Sequence, residues 1–139
     1  LRPENLERFN DAFNDALSKL STDKNAASLV VEGPCKIGDL DLKTLQELER
    51  LGPFGPGNPE PVFTFKASVK SHRVLKERHL KLNLSESAHV IEAIWFHGAE
   101  QNSVDSPEFF RESEWAGVPE LNRFRGQMTP TIRVRDRHF

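Results

Sequence analysis

The amino-acid sequence predicts a mainly β protein whose centre is a small closed barrel of short strands. Three observations lead to this class. From Val62 to the C-terminus, about five segments alternate apolar and polar residues with the period of two that strands require. Glycine, proline and charged turn residues separate these segments at short intervals. Few stretches in this part of the chain have the spacing of a helix.

The alternation predicts where each strand lies and which side of it faces the core. The expected strands cover residues 62–75, 79–84, 90–96, 115–124 and 131–137. Their connections are expected to be a basic hairpin over 73–78, a polar segment with a helical turn over 107–111, and a turn over 126–130. A bulge is expected at Glu92-Ala93, where the alternation breaks. The five-stranded Greek-key OB-fold barrel fits this count and length, and an SH3-like barrel fits nearly as well.

Before the barrel, the sequence predicts helical and extended lead-in segments. Residues 3–20 are expected to form an amphipathic helix, because apolar residues recur there at spacings of three and four. These residues are Leu6, Phe9, Phe13, Leu17 and Leu20. A polar connector separates this helix from a strand that begins at Leu29 and reaches Ile37, where Pro34 indicates an edge position or a bulge.

A short helix over 42–51 and a Pro/Gly elbow over 52–61 complete the lead-in. We expect Asp41 to cap the helix, its leucines to be buried, and Gly52 to end it in a left-handed conformation. The elbow contains prolines at 53, 56, 59 and 61, each of which fixes φ and removes a backbone donor. We interpret it as a rigid corner that turns the helix into the barrel.

Composition indicates one globular domain and a piece of another. The chain has 139 residues, of which 37% are hydrophobic and 29% are charged. No apolar run approaches the ~18 residues of a membrane helix, and no signal peptide is recognisable. The chain begins at Leu1 and has one methionine, Met128, so we expect a fragment of a longer protein. Cys35 is the lone cysteine, which excludes an intrachain disulfide and favours a reducing, cytoplasmic setting.

Basic residues are gathered in two segments far apart in sequence. Residues 66–81 carry six basic residues against one acid, net +5, and residues 123–139 carry five against one, net +4. Barrel closure would bring these two basic segments to one groove that follows a phosphate backbone. The candidate DNA-binding residues are Lys66, Arg73, Arg78, His79, Lys81, Arg123, Phe124, Arg125, Arg133 and Arg135. The alternative is a solvated basic face without a ligand.

Two aromatic residues have a similar pair of interpretations. Trp95 and Phe124 offer ring faces for bases, and such stacking contributes about 1–3 kcal/mol per base. Phe124, which Arg123 and Arg125 flank, is included among the candidate DNA-binding residues. The alternative is that both rings fill the core, because small barrels need large interior residues. The sequence contains no tyrosine.

The segment between the basic rows is acidic. Residues 82–122 carry eight acids and one arginine, net −7. We expect its second half, residues 100–120, to be a solvated loop that lies away from any DNA groove. The alternative is a docking element for a protein partner, with Phe109, Phe110 and Trp115 as apolar anchors.

The elbow and its flanks also carry a family resemblance. Residues 51–63, Leu-Gly-Pro-Phe-Gly-Pro-Gly-Asn-Pro-Glu-Pro-Val-Phe, resemble a segment near the C-terminal part of RecJ-type single-strand-specific exonucleases of the DHH family. Other segments resemble that family in the same order, namely residues 5–13, 79–82, 93–96, 122–126 and 132–136. The resemblance implies an OB-fold, which decides between the two barrels. It also implies that residues 1–24 hold the last helix of the DHH-associated domain and residues 25–139 the OB-fold domain.

The resemblance implies a C-terminal fragment of a 5′–3′ single-stranded-DNA exonuclease of repair and recombination. It implies Mg²⁺ or Mn²⁺ as cofactor of the parent, with single-stranded DNA and other DNA-repair proteins as partners and no membrane. The family's catalytic Asp-His-His and Gly-Gly-His motifs do not occur in this sequence, so we expect neither catalysis nor a cofactor in the chain. The rival hypothesis is an architectural module that docks on the nuclease core or on another repair protein.

Overall fold

A computed structural model describes residues 29–138. The helix expected over 3–20, and with it the assignment of residues 1–24, lies outside the described residues. The strands are β1 (Gly33–Pro34), β2 (Phe63–Leu75), β3 (His79–Glu86), β4 (His89–Trp95), β5 (Ser113–Phe124) and β6 (Gln127–His138). The helices are α1 (Leu42–Glu49) and α2 (Gly98–Gln101), with 3-10 turns at Ile37–Asp39 and Pro107–Phe110.

Five of the strands close into a barrel. The sheet order is β1-β2-β3-β4-β6-β5, and β5 pairs back onto β2. Closure is possible because β2 is long: its first half pairs with β5, and its second half pairs with β3. The β4–β6 pairing is parallel and the other barrel pairings are antiparallel. The predicted mainly β, five-stranded OB barrel is therefore confirmed, with β1 as an extra strand beside β2.

Inward-facing residues of the alternating strands form the core. Leu80, Leu82 and Leu84 of β3 are fully buried, and each such side chain stabilises the fold by about 1.5–3 kcal/mol. Trp95 packs edge-on against Trp115 at a ring-centroid distance of 5.7 Å. Trp95 thus belongs to the core, as the alternative interpretation of this residue had it. The register of β3 with β4 is continuous, so the bulge expected at Glu92-Ala93 was wrong.

Two β-bulges lie elsewhere and change which residues face outward. On β2, Val69 pairs with Leu84 and Ser71 with Asn83, so Lys70 is the extra residue. On β6, Val134 pairs with Gly117 and Asp136 with Ala116, so Arg135 is the extra residue. An extra residue reverses the alternation of the strand beyond it. The first bulge brings Arg73 to the outer face, and the second turns Arg137 inward.

The lead-in segment follows the prediction only in part. The strand expected from Leu29 to Ile37 is only two residues long, and Ile37 lies in a 3-10 turn. Asp41 caps α1, and its Oδ1 accepts a hydrogen bond from the Thr44 amide at 2.7 Å. Of the helix's leucines only Leu45 is fully buried. The peptide between Gly52 and Pro53 is cis, and the left-handed conformation expected for Gly52 was wrong.

Two tight corners position the candidate site. In the elbow, the Asn58 side-chain amide donates to the carbonyl oxygens of Leu51 and Pro53, each at 3.0 Å. The β5–β6 turn consists of Arg125 and Gly126, with φ of 50° and 75°. Positive φ at both positions suits the twist of a two-residue hairpin, and glycine adopts it freely. The turn expected over 126–130 was therefore wrong, since Gln127 already begins β6.

Candidate nucleic-acid interface

A row of aligned side chains crosses four strands on the outside of the barrel. Arg73 of β2 pairs with Lys81 of β3, Lys81 pairs with Ile94 of β4, and Ile94 pairs with Arg133 of β6. Paired residues on one face of a sheet have Cβ atoms about 5 Å apart. We call the outward side of these strands the outer face. Three of the ten candidate residues are thus aligned there, although 60 positions of sequence separate Arg73 from Arg133.

A second row lies one step further along the strands and contains rings. His79 of β3 contacts Phe96, the residue that follows β4, at a ring-centroid distance of 5.3 Å. Phe96 is 55% exposed. Arg135 lies beside Phe96, since both line the same shallow cavity. The backbone amide of His97 donates to His79 Nδ1 at 3.0 Å, which fixes the orientation of the His79 ring.

Carboxylates pair with most cations of the outer face. Glu92 binds Lys81 at 3.0 Å. Glu60, held between two prolines of the elbow, binds Arg133 at 2.6 Å with one oxygen and Arg135 at 3.0 Å with the other. Exposed pairs of this kind contribute about 0–1 kcal/mol each. The local charge of the face is therefore much lower than the sequence count suggests.

Glu120 of β5 adds a third carboxylate near this cluster. Its Oε2 lies 3.5 Å from Arg133 Nε, which is an ion-pair distance without a hydrogen bond. Partial burial raises the pKa of Glu120; Arg133 opposes this shift and the nearby Glu60 carboxylate adds to it.

Two further candidates are paired away from the row. Arg123, near the end of β5, makes a bidentate contact with Glu49 of α1, with N···O distances of 2.8 and 2.7 Å. Hydrogen bonding to Arg123 lowers the pKa of Glu49, and Glu49 in turn raises the pKa of Arg123. Arg78, in the β2–β3 turn, lies 3.7 Å from Glu100. Each of these arginines therefore joins two elements of the fold.

The remaining candidates have different positions. Lys66 pairs in register with Glu114 of β5, at the opposite end of β2 from Arg73, and is not part of the row. Phe124 is 66% exposed at the tip of the β5–β6 hairpin, so the core placement considered for it was wrong. The Arg125 guanidinium lies 5.1 Å from the centre of the Phe124 ring. Among the described residues, neither Arg73 nor Arg125 has an acidic partner within ion-pair distance.

The acidic segment differs from both interpretations given to it. Phe109 and Trp115 are 2% and 0% exposed, so they are core residues and cannot anchor a partner. Phe110 remains 38% exposed. The segment was expected to lie away from any DNA groove, and two of its acids contact arginines that are candidate DNA-binding residues. Glu100 contacts Arg78 and Glu120 contacts Arg133.

Two residues of this surface were missed in the sequence. Phe96 was counted as part of an apolar strand, yet a strand that buries Ile91, Ala93 and Trp95 must point residue 96 outward. The bulge wrongly expected at Glu92-Ala93 hid this alternation. Glu60 offered no comparable pattern, because its two partners lie 73 and 75 residues further along the chain.

Comparison with known proteins agrees with this architecture. The family model described as the RecJ OB domain matches residues 31–136, which is most of the chain. The chain belongs to the RecJ OB-domain family. A curated relative of this RecJ OB domain is the single-stranded-DNA-specific exonuclease RecJ of Salmonella typhimurium, 25% identical over 139 residues. The match covers 98% of this chain and 24% of that protein, so the chain spans about a quarter of its relative.

Solved structures give the same result. A crystal structure of RecJ from Thermus thermophilus in complex with Mg²⁺ is 26% identical, with a TM-score of 0.63 over 80% of this chain and 17% of that one. The complex of that protein with Mn²⁺ is 25% identical, with a TM-score of 0.62 over 80% of this chain and 16% of that one. The recognition of a RecJ-type fragment is confirmed, and the catalytic domain of RecJ is not in this chain.

Residues 29–138 contain neither a metal-ligand cluster nor a membrane-spanning helix. No group of three or more histidine, cysteine, aspartate or glutamate side chains there is arranged to hold a metal ion. The described residues therefore do not fit the Mg²⁺ or Mn²⁺ that the family implies. No helix in this part of the chain is long and apolar enough to cross a membrane.

Proposed function

We propose that this RecJ OB domain binds single-stranded DNA through its outer face, with little base specificity. The observation that carries the proposal is the row from Arg73 through Lys81 to Arg133, aligned across β2, β3, β4 and β6. In OB-folds this part of the barrel, together with the hairpin turns at its edges, binds oligonucleotides. Here those turns carry Arg78 and Arg125, and Phe124 is the last residue of β5 before the second turn.

Ion pairs within the domain set the mechanism of binding. A phosphate that binds Lys81, Arg133 or Arg135 takes the place of the Glu92 or Glu60 carboxylate. Arg73 and Arg125 meet a phosphate without such an exchange. Exchange of one anion for another lowers the net gain, so we expect modest affinity with a strong salt dependence from counterion release. Phe124 offers a ring to a base at the hairpin tip.

For the parent protein we propose a 5′–3′ exonuclease of DNA repair and recombination in the cytoplasm. The name of the Salmonella relative supports the substrate class. Mg²⁺ or Mn²⁺ would be bound in the catalytic DHH domain, outside this chain, and the two Thermus complexes support this metal class. Residues 1–24 would end the DHH-associated domain, and residues 25–139 would guide the strand toward the active site.

One observation favours a second candidate, an architectural module that docks on the nuclease core or on another repair protein. Five of the ten candidate residues contact carboxylates of the same chain, namely Arg78, Lys81, Arg123, Arg133 and Arg135. If these contacts persist in the presence of DNA, the cations serve the fold. Exposed apolar side chains on the lead-in, such as Leu51 at 62%, would then meet the partner.

Fluorescence-anisotropy titration of the 139-residue chain with labelled single-stranded DNA at several salt concentrations tests the proposal. We expect the logarithm of the affinity to fall linearly with the logarithm of salt concentration. The double variant Arg73→Ala/Lys81→Ala should flatten that slope by about 0.7 per lost contact. Lys43→Ala, an exposed charge change on α1, is the control. Absence of binding at low salt would refute the DNA proposal and favour the architectural module.

A further inference from the structure

Phe96 is a large aromatic residue held outward beside the arginines of the outer face. It directly follows Trp95, which is 6% exposed, whereas Phe96 is 55% exposed. Burying a phenylalanine side chain is worth about 1.5–3 kcal/mol. The exposed Phe96 side chain therefore does not contribute this stabilisation in full, whereas the Trp95 ring lies in the core.

A neighbouring ring contacts Phe96, and this contact restricts the rotation of its side chain. The rings of His79 and Phe96 are T-shaped to each other, with a centroid distance of 5.3 Å and an interplanar angle of 73°. His97 contacts His79 in turn, at 5.0 Å and 84°. The hydrogen bond from the His97 amide to His79 Nδ1 fixes the middle ring of this stack. An aromatic ring that is already ordered loses little conformational entropy when a ligand stacks on it.

A shallow cavity beside Phe96 combines the groups that a nucleotide needs. Its volume is about 280 Å³, just below the range of small-molecule pockets. It is lined by Trp95, Phe96, Gln101, Arg133, Val134 and Arg135. The two guanidinium groups provide phosphate contacts, the Phe96 ring provides a stacking surface, and the Gln101 amide provides a donor and an acceptor.

We propose that this cavity is a nucleotide subsite, in which one base stacks on Phe96 while its phosphate binds Arg133 and Arg135. The proposal rests on the proposed DNA-binding function and adds a residue outside the basic rows. Every base has a π-face, so the subsite accepts any of the four bases. The Glu60 carboxylate, which joins the two arginines, marks the position where the phosphate binds.

The test separates base stacking from phosphate binding. Wild type, Phe96→Ala and Phe96→Tyr are titrated with labelled oligo(dT) and with an oligonucleotide of equal length made of abasic sites. Phe96→Ala should weaken oligo(dT) binding about tenfold, within the range for loss of one stacked base. It should leave binding of the abasic strand unchanged. Phe96→Tyr keeps the ring and should restore the affinity for oligo(dT).

Phe110→Ala is the matched control, since Phe110 is also an exposed phenylalanine but lies on the acidic segment, where it contacts Phe109 and, across from it, His72 of β2. Circular dichroism and thermal unfolding establish that each variant is folded. If wild type binds both strands and Phe96→Ala changes neither affinity, or lowers both equally, the subsite is refuted and the proposed function stands. If wild type binds neither strand, the proposed function fails and the subsite fails with it.

Discussion

Arginines on one strand, β6, have opposite roles on the two sides of a bulge. Arg133 and Arg135 are partly exposed, with 27% and 45% of their side-chain surface accessible, and share the Glu60 carboxylate. Arg137, two positions further on, is 7% exposed. Its guanidinium lies over the rings of Trp115 at 4.4 Å and Phe109 at 4.9 Å. The extra residue of the bulge, Arg135, produces this difference.

The contrast shows that the role of a cation depends on its side of the barrel wall. Arg137 donates to Ser113 Oγ at 2.7 Å and to the Phe109 carbonyl at 2.7 Å. Burial lowers the pKa of Arg137 to about 10, so the side chain remains charged near neutral pH. It is part of the core, whereas Arg133 and Arg135 hold an anion that another anion can replace. Stability measurements should respond to the first kind of arginine, and DNA affinity to the second.

The largest effect is expected from Arg137→Met. This change leaves the Phe109 carbonyl and the Ser113 hydroxyl without their donor, at about 1–3 kcal/mol for each buried group, and removes two cation–π contacts. The free energy of unfolding in urea should fall by about 2–4 kcal/mol. Arg135→Met is the control and should cost under about 1 kcal/mol. Equal losses of unfolding free energy in the two variants would show that Arg137 and Arg135 contribute equally to stability.

The next effect is expected from Arg133→Ala/Arg135→Ala, which removes the two outward-facing arginines of β6. Loss of two phosphate contacts should weaken binding of single-stranded DNA about tenfold at low salt, or ~1.4 kcal/mol. It should also reduce the salt slope by about 1.4. Anisotropy measures both quantities. The control Arg111→Ala changes one exposed charge on the acidic segment and should alter neither. If the double variant unfolds more readily than wild type but binds single-stranded DNA normally, these two arginines stabilise the fold and do not bind DNA.

Glu60→Gln should have a smaller effect, in the opposite direction. It frees Arg133 and Arg135 from their shared carboxylate, so binding of single-stranded DNA should tighten several-fold, or by under about 1 kcal/mol. The stability loss should be similarly small. Glu47→Gln is the control, because Glu47 is exposed on α1 and forms no ion pair with another described residue. Weaker binding in Glu60→Gln would mean that the carboxylate positions the arginines for DNA.

The smallest effect concerns pH. The pKa of Glu49 is lower in the folded state because Arg123 binds the carboxylate. Its contribution to stability is therefore present above the ordinary glutamate pKa and is lost as pH falls through the lowered value. The difference in urea midpoint between wild type and Glu49→Gln should shrink from pH about 6 to about 3. A difference that persists below that range would show that the pair acts through packing.

Much of the fold was predictable because apolar alternation is a local property. The row of Leu80, Leu82 and Leu84 fixes an inner face without reference to the rest of the chain. The two bulges were not predictable, since the extra residues Lys70 and Arg135 are ordinary polar residues within alternating segments. Periodicity alone places Arg137 with Arg133 and Arg135, and only the register with β5 separates them.

The sequence was sufficient to predict which cations are candidates for the site, but not the net charge around them. Arg133 and Lys81 are aligned through Ile94, as barrel closure would have them. The carboxylate partners of the candidate cations could not be predicted in this way. Glu49 and Arg123 are 74 residues apart, and a contact over such a distance leaves no trace in a local pattern. Charge counts along the sequence do not include the pairing of Lys81, Arg133 and Arg135 with carboxylates, so they overstated the net positive charge of the outer face.

The contact between Trp95 and Trp115 has a practical consequence for all of these measurements. They are the chain's two tryptophans, it has no tyrosine, and both indoles are buried. Trp95 comes from β4 and Trp115 from β5, strands that are separated by β6 in the sheet. Their intrinsic fluorescence is thus a built-in optical reporter of barrel closure. It distinguishes a variant that has lost its core from one that has lost only a ligand contact, without any added label.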